Sequence, residues 1–283
     1  MVGLAFCLSE SSSMADPLVT CVCVTGRRYT TYEFLPQVIQ CFCRQNYRKR
    51  QLLLISDSDR VGPIDNLDGI FLHRVKAGMP LGAMRNIGLA FAAKCDSLCM
   101  QWDDDDWYRF DRISQQVKAW KEAGRDKAVF LESQLCYSFL TGDFGVRRLP
   151  NSCIHGSILA PANYSSYPET RMAEDTAYFR DWITNDRVAV MQNDPGLYVR
   201  FAHGFNTWPH SHVIREFGNE VGLFPPTEVH REQLIEDVLP DYPRLNRAWL
   251  SVRNLFKSHP ARIQFVPPEP VKEVESGSMI VSA

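Results

Sequence analysis

Hydrophobic positions in the first 125 residues alternate between short apolar blocks and helical stripes. Leu18–Thr25 (LVTCVCVT) is an almost unbroken run of β-branched and apolar residues, the pattern of a strand buried on both faces of a parallel sheet. The loop Gly26-Arg27-Arg28 leads into a helical stripe with Val38, Ile39 and Phe42 on one face. Thr30 and Glu33 have capping-box spacing, but that start would bury Pro36 deep in the helix. Pro36 is therefore expected in the first turn, and the cap stays undecided. Gln51–Ser56 reads as a second strand, ending in Asp57, and Gly69–Val75 as a third. A loop with Gly78 and Gly82 opens a helix with Met84, Ile87 and Phe91 in phase. Ser97–Trp102 is a fourth strand and runs straight into Asp103-Asp104-Asp105-Asp106. Asp111 is expected to cap a helix bearing Ile113, Val117 and Trp120, which stops at Gly124.

Four strand–helix alternations imply an α/β fold: a Rossmann-like, mostly parallel sheet flanked by helices, with right-handed crossovers. Ligands of such sheets bind beyond the carboxyl ends of the strands, where Thr25, Asp57 and Asp103–Asp106 fall. The second half is less regular. Ala128–Phe139 and Ser152–Pro161 read as strands separated by the turn Thr141–Gly145. Glu174-Asp175 opens a helix whose apolar side carries Tyr178, Phe179, Trp182 and Ile183. A final amphipathic helix puts Leu245, Trp249, Val252 and Phe256 on one stripe, with Arg244, Arg247, Arg253 and Lys257 opposite. The expected organisation is a flexible stretch 1–16, a main domain 17–215 with halves 17–125 and 126–215, a helical extension 216–265 and a loose tail 266–283.

Composition narrows the class. Of 283 residues, 45% are hydrophobic and 23% charged, which excludes a disordered or fibrous chain. A net charge of −2 leaves no footprint for bulk nucleic-acid binding. The nine cysteines lie mostly in apolar runs, as buried thiols of a reducing cytosol do. The Cys-x-Cys pairs Cys21/Cys23 and Cys41/Cys43 are poor zinc candidates, because residues i and i+2 diverge on a helix and the usual spacing is wider. No apolar run approaches the ~20 residues a membrane span needs. The first residues lack a basic start, so no signal peptide is expected, and Met14 is an alternative start.

The acidic run carries the strongest chemical signal. Two unit charges at 4 Å repel by roughly 1 kcal/mol in water and about 4 kcal/mol at an effective dielectric of 20. A solvated acidic turn disperses that repulsion. A divalent cation relieves it more fully, and hard carboxylate oxygens suit Mg²⁺ or Mn²⁺, which take phosphate oxygens as further ligands. The flanking Trp102 and Trp107 and the sheet-end position favour a formed metal–diphosphate pocket.

In order and spacing, Asp57, Met84-Arg85-Asn86-Ile87-Gly88, Trp102–Trp107 followed by Asp111-Arg112, and Glu174-Asp175 resemble family 2 glycosyltransferases of GT-A fold over roughly residues 17–210. The resemblance implies an irregular acceptor-side second half and C-terminal helices. It also implies a nucleotide-sugar donor, typically a UDP-sugar, and a Mg²⁺ or Mn²⁺ cofactor. Thr25 and Asp57 would contact the nucleoside, and Arg85 the base or diphosphate. Asp105 would bind metal, with Asp103 directed to the ribose or metal. Asp106 would support them or touch the donor sugar, and Asp175 would be the catalytic base beside Glu174. The implied reaction is a single displacement with inversion at the anomeric carbon, onto a carbohydrate, lipid-linked or protein acceptor. Val24-Thr25-Gly26-Arg27 stands where the family commonly has Pro-Thr-Tyr-Asn, leaving Tyr29 to stack on the base.

Other residues carry weaker signals. His203 is a candidate metal ligand or acceptor-cleft residue; His210 and His212 are lesser candidates. His155-Gly156-Ser157 is expected to line the acceptor side. The basic face of the last helix suits peripheral contact with an anionic membrane surface, although packing on the α/β domain is the commoner use of such a helix. The expected location is cytoplasmic, including the inner membrane face. Two alternatives are a metal-dependent nucleotidyltransferase, which would want a more basic glycine-rich loop after the first strand, and a non-catalytic carbohydrate-binding derivative.

Overall fold

A computed structural model describes residues 15–26, 31–59, 61–62, 68–148, 152–203, 206 and 223–242. The strands are β1 (Val19–Thr25), β2 (Arg50–Ser56), β3 (Ile70–Arg74), β4 (Leu98–Gln101), β5 (Trp107–Tyr108), β6 (Ala128–Leu131), β7 (Ser133–Ser138), β8 (Phe144–Arg148), β9 (Ile154–Pro161), β10 (Val188–Met191), β11 (Tyr198–Ala202) and β12 (Leu223–Phe224). One sheet has the order β10-β6-β9-β4-β1-β2-β3 and a second the order β12-β8-β7-β11-β5. In the first, β1 runs parallel to β2 and β4, and β2 to β3, whereas β9 is antiparallel to β4 and β6. The four parallel strands are those the apolar blocks predict.

Helices α1 (Thr31–Cys43) and α3 (Arg112–Glu122) belong to the core on one face of this sheet, and α2 (Leu81–Lys94) and α4 (Glu174–Thr184) to that on the other. Each face has its own core: Phe34, Val38, Trp102 and Ile113 on the first, Met84, Ala92, Phe130 and Trp182 on the second. This is the doubly wound arrangement. The second sheet abuts the first core through alternate residues: Leu135, Tyr137, Val146, Val199 and Phe201 are buried there. Segment 223–242 joins the same body: Asp241 pairs with Arg44 at 2.7 Å, and Tyr242 packs on Phe34.

Several local expectations are corrected. Pro36 lies inside α1, not in its first turn; burial of Phe34, Leu35, Val38 and Phe42 offsets the backbone hydrogen bond proline removes. Asp111 precedes α3 but makes no side-chain cap. It sits at φ −112° and ψ 10°, and its carboxylate accepts from Arg109 Nε (2.7 Å) and Gln115 Nε2 (2.6 Å) instead. Ile87 and Phe91 only border the core, whose α2 contacts are Met84, Leu89 and Ala92. Ile183 is 51% exposed. The run Ala128–Phe139 is two strands in different sheets, broken at Glu132, where Asn193 Oδ1 accepts from the Glu132 and Ser133 amides. Both strands are fully buried, so no alternation in the sequence marks the break. Cys21, Cys23 and Cys41 are buried and Cys43 is exposed, all as free thiols. The final amphipathic helix and the loop Arg27–Thr30 lie outside the described residues. Among the described residues, no helix is long and apolar enough to cross a membrane.

Two glycines in α2 bring this helix into close contact. A Cβ on Gly82 would lie 1.8 Å from the Pro168 carbonyl oxygen, and one on Gly88 would lie 2.3 Å from Val22 Cγ1 on β1. Val22 is buried and β-branched, so it has little room to turn away. Gly88→Ala is therefore expected to destabilise the fold by about 1–3 kcal/mol despite alanine's better helix propensity. Denaturant unfolding measures it, and Val22→Ala in the same chain should recover part of the loss. A stabilised Gly88→Ala protein would contradict the packing.

Candidate functional site

The acidic run leaves β4 at the carboxyl edge of the large sheet and enters a cavity of about 410 Å³. Asp103, Asp105 and Asp106 line it from one side; Glu174 and Asp175, in the first turn of α4, line it from another. Arg85 reaches in from α2, and Tyr198 and Arg200 from β11.

Arg85 ties these elements together. Its Nη2 donates to Asp103 Oδ1 at 2.8 Å and its Nε to Glu174 Oε1 at 2.9 Å. Arg85 and Glu174 are both buried. Burial works against the Arg85 charge, but Asp103 and Glu174 outweigh it and hold the guanidinium protonated. For Glu174 burial is the larger influence and raises the carboxyl above its ordinary value, with Arg85 opposing. Arginine does not deprotonate in proteins, so the guanidinium stays charged, and its hold on Glu174 opposes the effect of burial on that carboxyl. Gln101 Nε2 adds bonds of 3.2 and 3.1 Å to the Asp103 carboxylate. Arg85 is thus held by two carboxylates, and Glu174 serves as its anchor.

Asp105 and Asp106 have separate partners. Asp105 Oδ2 lies 3.0 Å from His203 Nε2. His203 is buried, packs on Phe34 with ring centroids 4.6 Å apart, and stands behind Asp105 without lining the cavity. Asp106 accepts from Tyr198 Oη (2.6 Å) and from the Phe201 amide (3.1 Å). Burial, then the Asp103 charge, pushes its carboxyl up to about 7. Behind the run, fully buried Arg112 lies over the rings of Trp102, Tyr108 and Tyr198 at 5.1, 4.4 and 5.0 Å. Its Nη2 donates to the Gln101 carbonyl (3.1 Å), fixing the end of β4.

Asp175 is half-buried and accepts from the Thr176 amide at 2.7 Å. Ala173, just before α4, is left-handed at φ 58°, a conformation that non-glycine residues rarely adopt and that accompanies functional turns. His155 and Gly156 line the cavity as expected, while Ser157 is structural: its hydroxyl donates to the Ile154 carbonyl and accepts from the Leu131 amide. His155 stacks on Phe179, its Nδ1 is 3.1 Å from Thr176 Oγ1, and burial lowers its pKa.

The structure therefore gathers Arg85, Asp103, Asp105, Asp106, Glu174 and Asp175 into one cavity. Thr25 and Asp57 do not line it: Thr25 is buried at the end of β1, and Asp57 accepts from the Gly78 amide at 3.1 Å. His210 and His212 lie outside the described residues. Sequence reasoning missed Gln134, Arg147, Tyr198 and Arg200. The alternation Tyr198-Val199-Arg200-Phe201 was the available signal, with polar members on one face.

The carboxylate oxygens of Asp105 and Asp103 suit Mg²⁺ or Mn²⁺, whereas His203, expected as a metal ligand, has its Nε2 on Asp105 Oδ2 and does not line the cavity. Among the described residues, no group of three or more His, Cys, Asp or Glu side chains converges as a ready metal cage. Mg²⁺ ordinarily needs only one or two carboxylates, with substrate phosphates and water completing its shell, so the carboxylates present fit it.

No protein-family model matches the chain, and no curated protein sequence matches it. Solved structures do. Staphylococcus aureus TarS matches with a TM-score of 0.51 at 15% identity over 80% of this chain, spanning 44% of the TarS chain. TarS 1–349 in complex with UDP-GlcNAc matches with a TM-score of 0.54 at 14% identity, over 79% of this chain and 72% of that one. The UDP complex of the same piece gives 0.50 at 14% identity, over 87% and 76%. The chain thus spans under half the length of full TarS. It shares with TarS a GT-A-like fold, a mostly parallel central sheet flanked by helices.

Two predictions follow from the buried charges. Arg85→Met strands Glu174 in the interior and should lower stability by about 3–5 kcal/mol in denaturant unfolding, with Glu174→Leu in the same chain restoring most of it. Equal losses in the single and double variants would contradict the clamp. Asp106 has a raised folded-state pKa, so the native state keeps its proton between about pH 4 and 7 while the unfolded chain releases it. Its contribution to stability must fall as pH rises through that window. Asp106→Asn should remove this slope from a Tm–pH profile recorded in EDTA; an unchanged profile would contradict it.

Proposed function

We propose that this protein is a glycosyltransferase that moves a sugar from a nucleoside-diphosphate sugar, with UDP as the expected nucleotide, to an acceptor hydroxyl with inversion. One observation carries the reading: Asp103–Asp106 at a strand end and Asp175 at a helix start share one cavity. The likeness to a TarS structure holding UDP-GlcNAc supports the donor class.

The chain's own residues divide the work. Asp105 and Asp103 would hold a divalent cation, with His203 fixing the Asp105 carboxylate from behind. A bound cation supplies Lewis-acid stabilisation of the leaving diphosphate. Arg85, gripped by Glu174, keeps Asp103 oriented. Asp175 Oδ2 accepts the acceptor proton as the hydroxyl attacks the anomeric carbon from the face opposite the leaving group; Oδ1 is steadied by the Thr176 amide. A positioned base of this kind contributes about 10²–10⁴-fold.

A thermal-shift panel of UDP-, GDP- and dTDP-sugars with and without Mn²⁺ tests this. The matching donor should stabilise by about 2.7 kcal/mol at a hundredfold excess over Kd. Asp105→Asn should lose the Mn²⁺-dependent shift. Asp175→Asn should keep it and lose turnover by about 10²–10⁴-fold. Normal transfer by Asp175→Asn would overturn the base assignment, and absence of any nucleotide-sugar shift would overturn the donor class.

A further inference from the structure

The five-stranded sheet presents its second face to the cavity. Gln134 pairs directly with Arg147 across β7 and β8, and Cys136 with Arg200 across β7 and β11. Because side chains alternate along a strand, Gln134, Cys136, Arg147, Tyr198 and Arg200 share one face, while Leu135, Val146, Val199 and Phe201 are turned to the core. Gln134, Arg147, Tyr198 and Arg200 line the cavity. These strand residues supply two guanidinium groups and no carboxylate of their own; Asp106 borders them, accepting from Tyr198 Oη at 2.6 Å and feeling the Arg200 charge, while Asp103, Asp105, Glu174 and Asp175 line other parts of the cavity. The neighbouring Arg148 points the other way and pairs with Glu132 at 3.6 Å, so the polarity belongs to one face only.

Within this wall Tyr198 and Arg200 lie toward Asp106, whereas Arg147 stands two strands further along, on β8. Arg147 and His155 line the same cavity, and the His155 imidazole lies 3.1 Å from Thr176 Oγ1 beside Asp175. A group seated against Arg147 and Gln134 therefore flanks the proposed base, where an attacking hydroxyl must arrive. Strands β8 and β11 stand on either side of β7, roughly 10 Å apart, a span two arginines can close around one anion. Planar guanidinium forks bind phosphate and carboxylate oxygens with charge-assisted bonds that neutral hydroxyls do not match.

We infer that the acceptor carries an anionic group, a phosphate or a carboxylate, which Arg147 and Arg200 receive with Gln134 on the β8–β7–β11 wall while a nearby hydroxyl faces Asp175. The inference rests on the glycosyltransferase reading for the word acceptor, but the anion site stands on the wall itself.

The test titrates the full chain, saturated with UDP and Mn²⁺, with glucose 6-phosphate, glucuronate and glucose, and reads affinity from the Tm shift. At least one anionic sugar should bind about tenfold or more tightly than glucose, and which one does so separates phosphate from carboxylate. Arg147→Gln should erase that preference, Arg147→Lys should keep part of it, and the control Arg148→Gln should leave it intact. Glucose binding as well as the anions, or no shift with either anion, overturns the inference. So does an Arg147→Gln protein that loses UDP and the anion equally, because the arginine then serves the donor diphosphate. If wild type ignores UDP, the donor reading fails by itself, and the three sugars are read on the nucleotide-free protein.

Discussion

Neighbouring carboxylates in one cavity repel one another, and the architecture around the acidic run gives each of the three that line it, Asp103, Asp105 and Asp106, its own partner. Asp103 is held by Arg85 and Gln101, Asp105 by His203, and Asp106 by Tyr198 and the Phe201 amide. These partners come from α2, β4, β11 and the residue just after β11, so the four-residue run pins together elements that are far apart in sequence. Arg85 matters most, because its second bond reaches Glu174 and ties α2 and the acidic run to the helix bearing Asp175.

That clamp explains features that otherwise look incidental. Arg85 spans the gap because α2 lies close to β1 and to the segment before α4, and Gly88 and Gly82 permit that approach. Buried Arg112, caged by three aromatic rings, fixes the end of β4 from the opposite side. The site is therefore built on rigid elements, and its charges are oriented before any ligand arrives. Such preorganisation lets electrostatic interactions act without reorganisation during a reaction.

The first 125 residues were legible because their strands are buried on both faces and their helices are amphipathic: Leu18–Thr25, Gln51–Ser56 and Ser97–Trp102 are all found as strands within a residue or two at each end. The grouping of Asp103, Asp105, Asp106 and Asp175 in one cavity also followed from strand-end placement and motif order. What stayed hidden depended on tertiary pairing. Glu174 reads as a first-turn acid until Arg85, 89 residues away, is seen against it. The break at Glu132 is invisible in a run buried on both sides. Arg147 and Arg200 look like ordinary strand residues until the second sheet turns them toward the cavity. The Asp111 cap failed because Arg109 and Gln115 compete better for the carboxylate than a backbone amide does.

One cavity thus gathers carboxylates from the acidic run and α4 with guanidinium groups from α2, β8 and β11. The central claim is that the acids hold a cation against a nucleoside diphosphate. Anomalous scattering from crystals grown with Mn²⁺ and UDP tests it most directly. The account predicts a manganese peak in contact with the Asp105 carboxylate and the diphosphate oxygens. UDP bound elsewhere, or a peak absent from Asp105 while its side chain remains on His203, would contradict it.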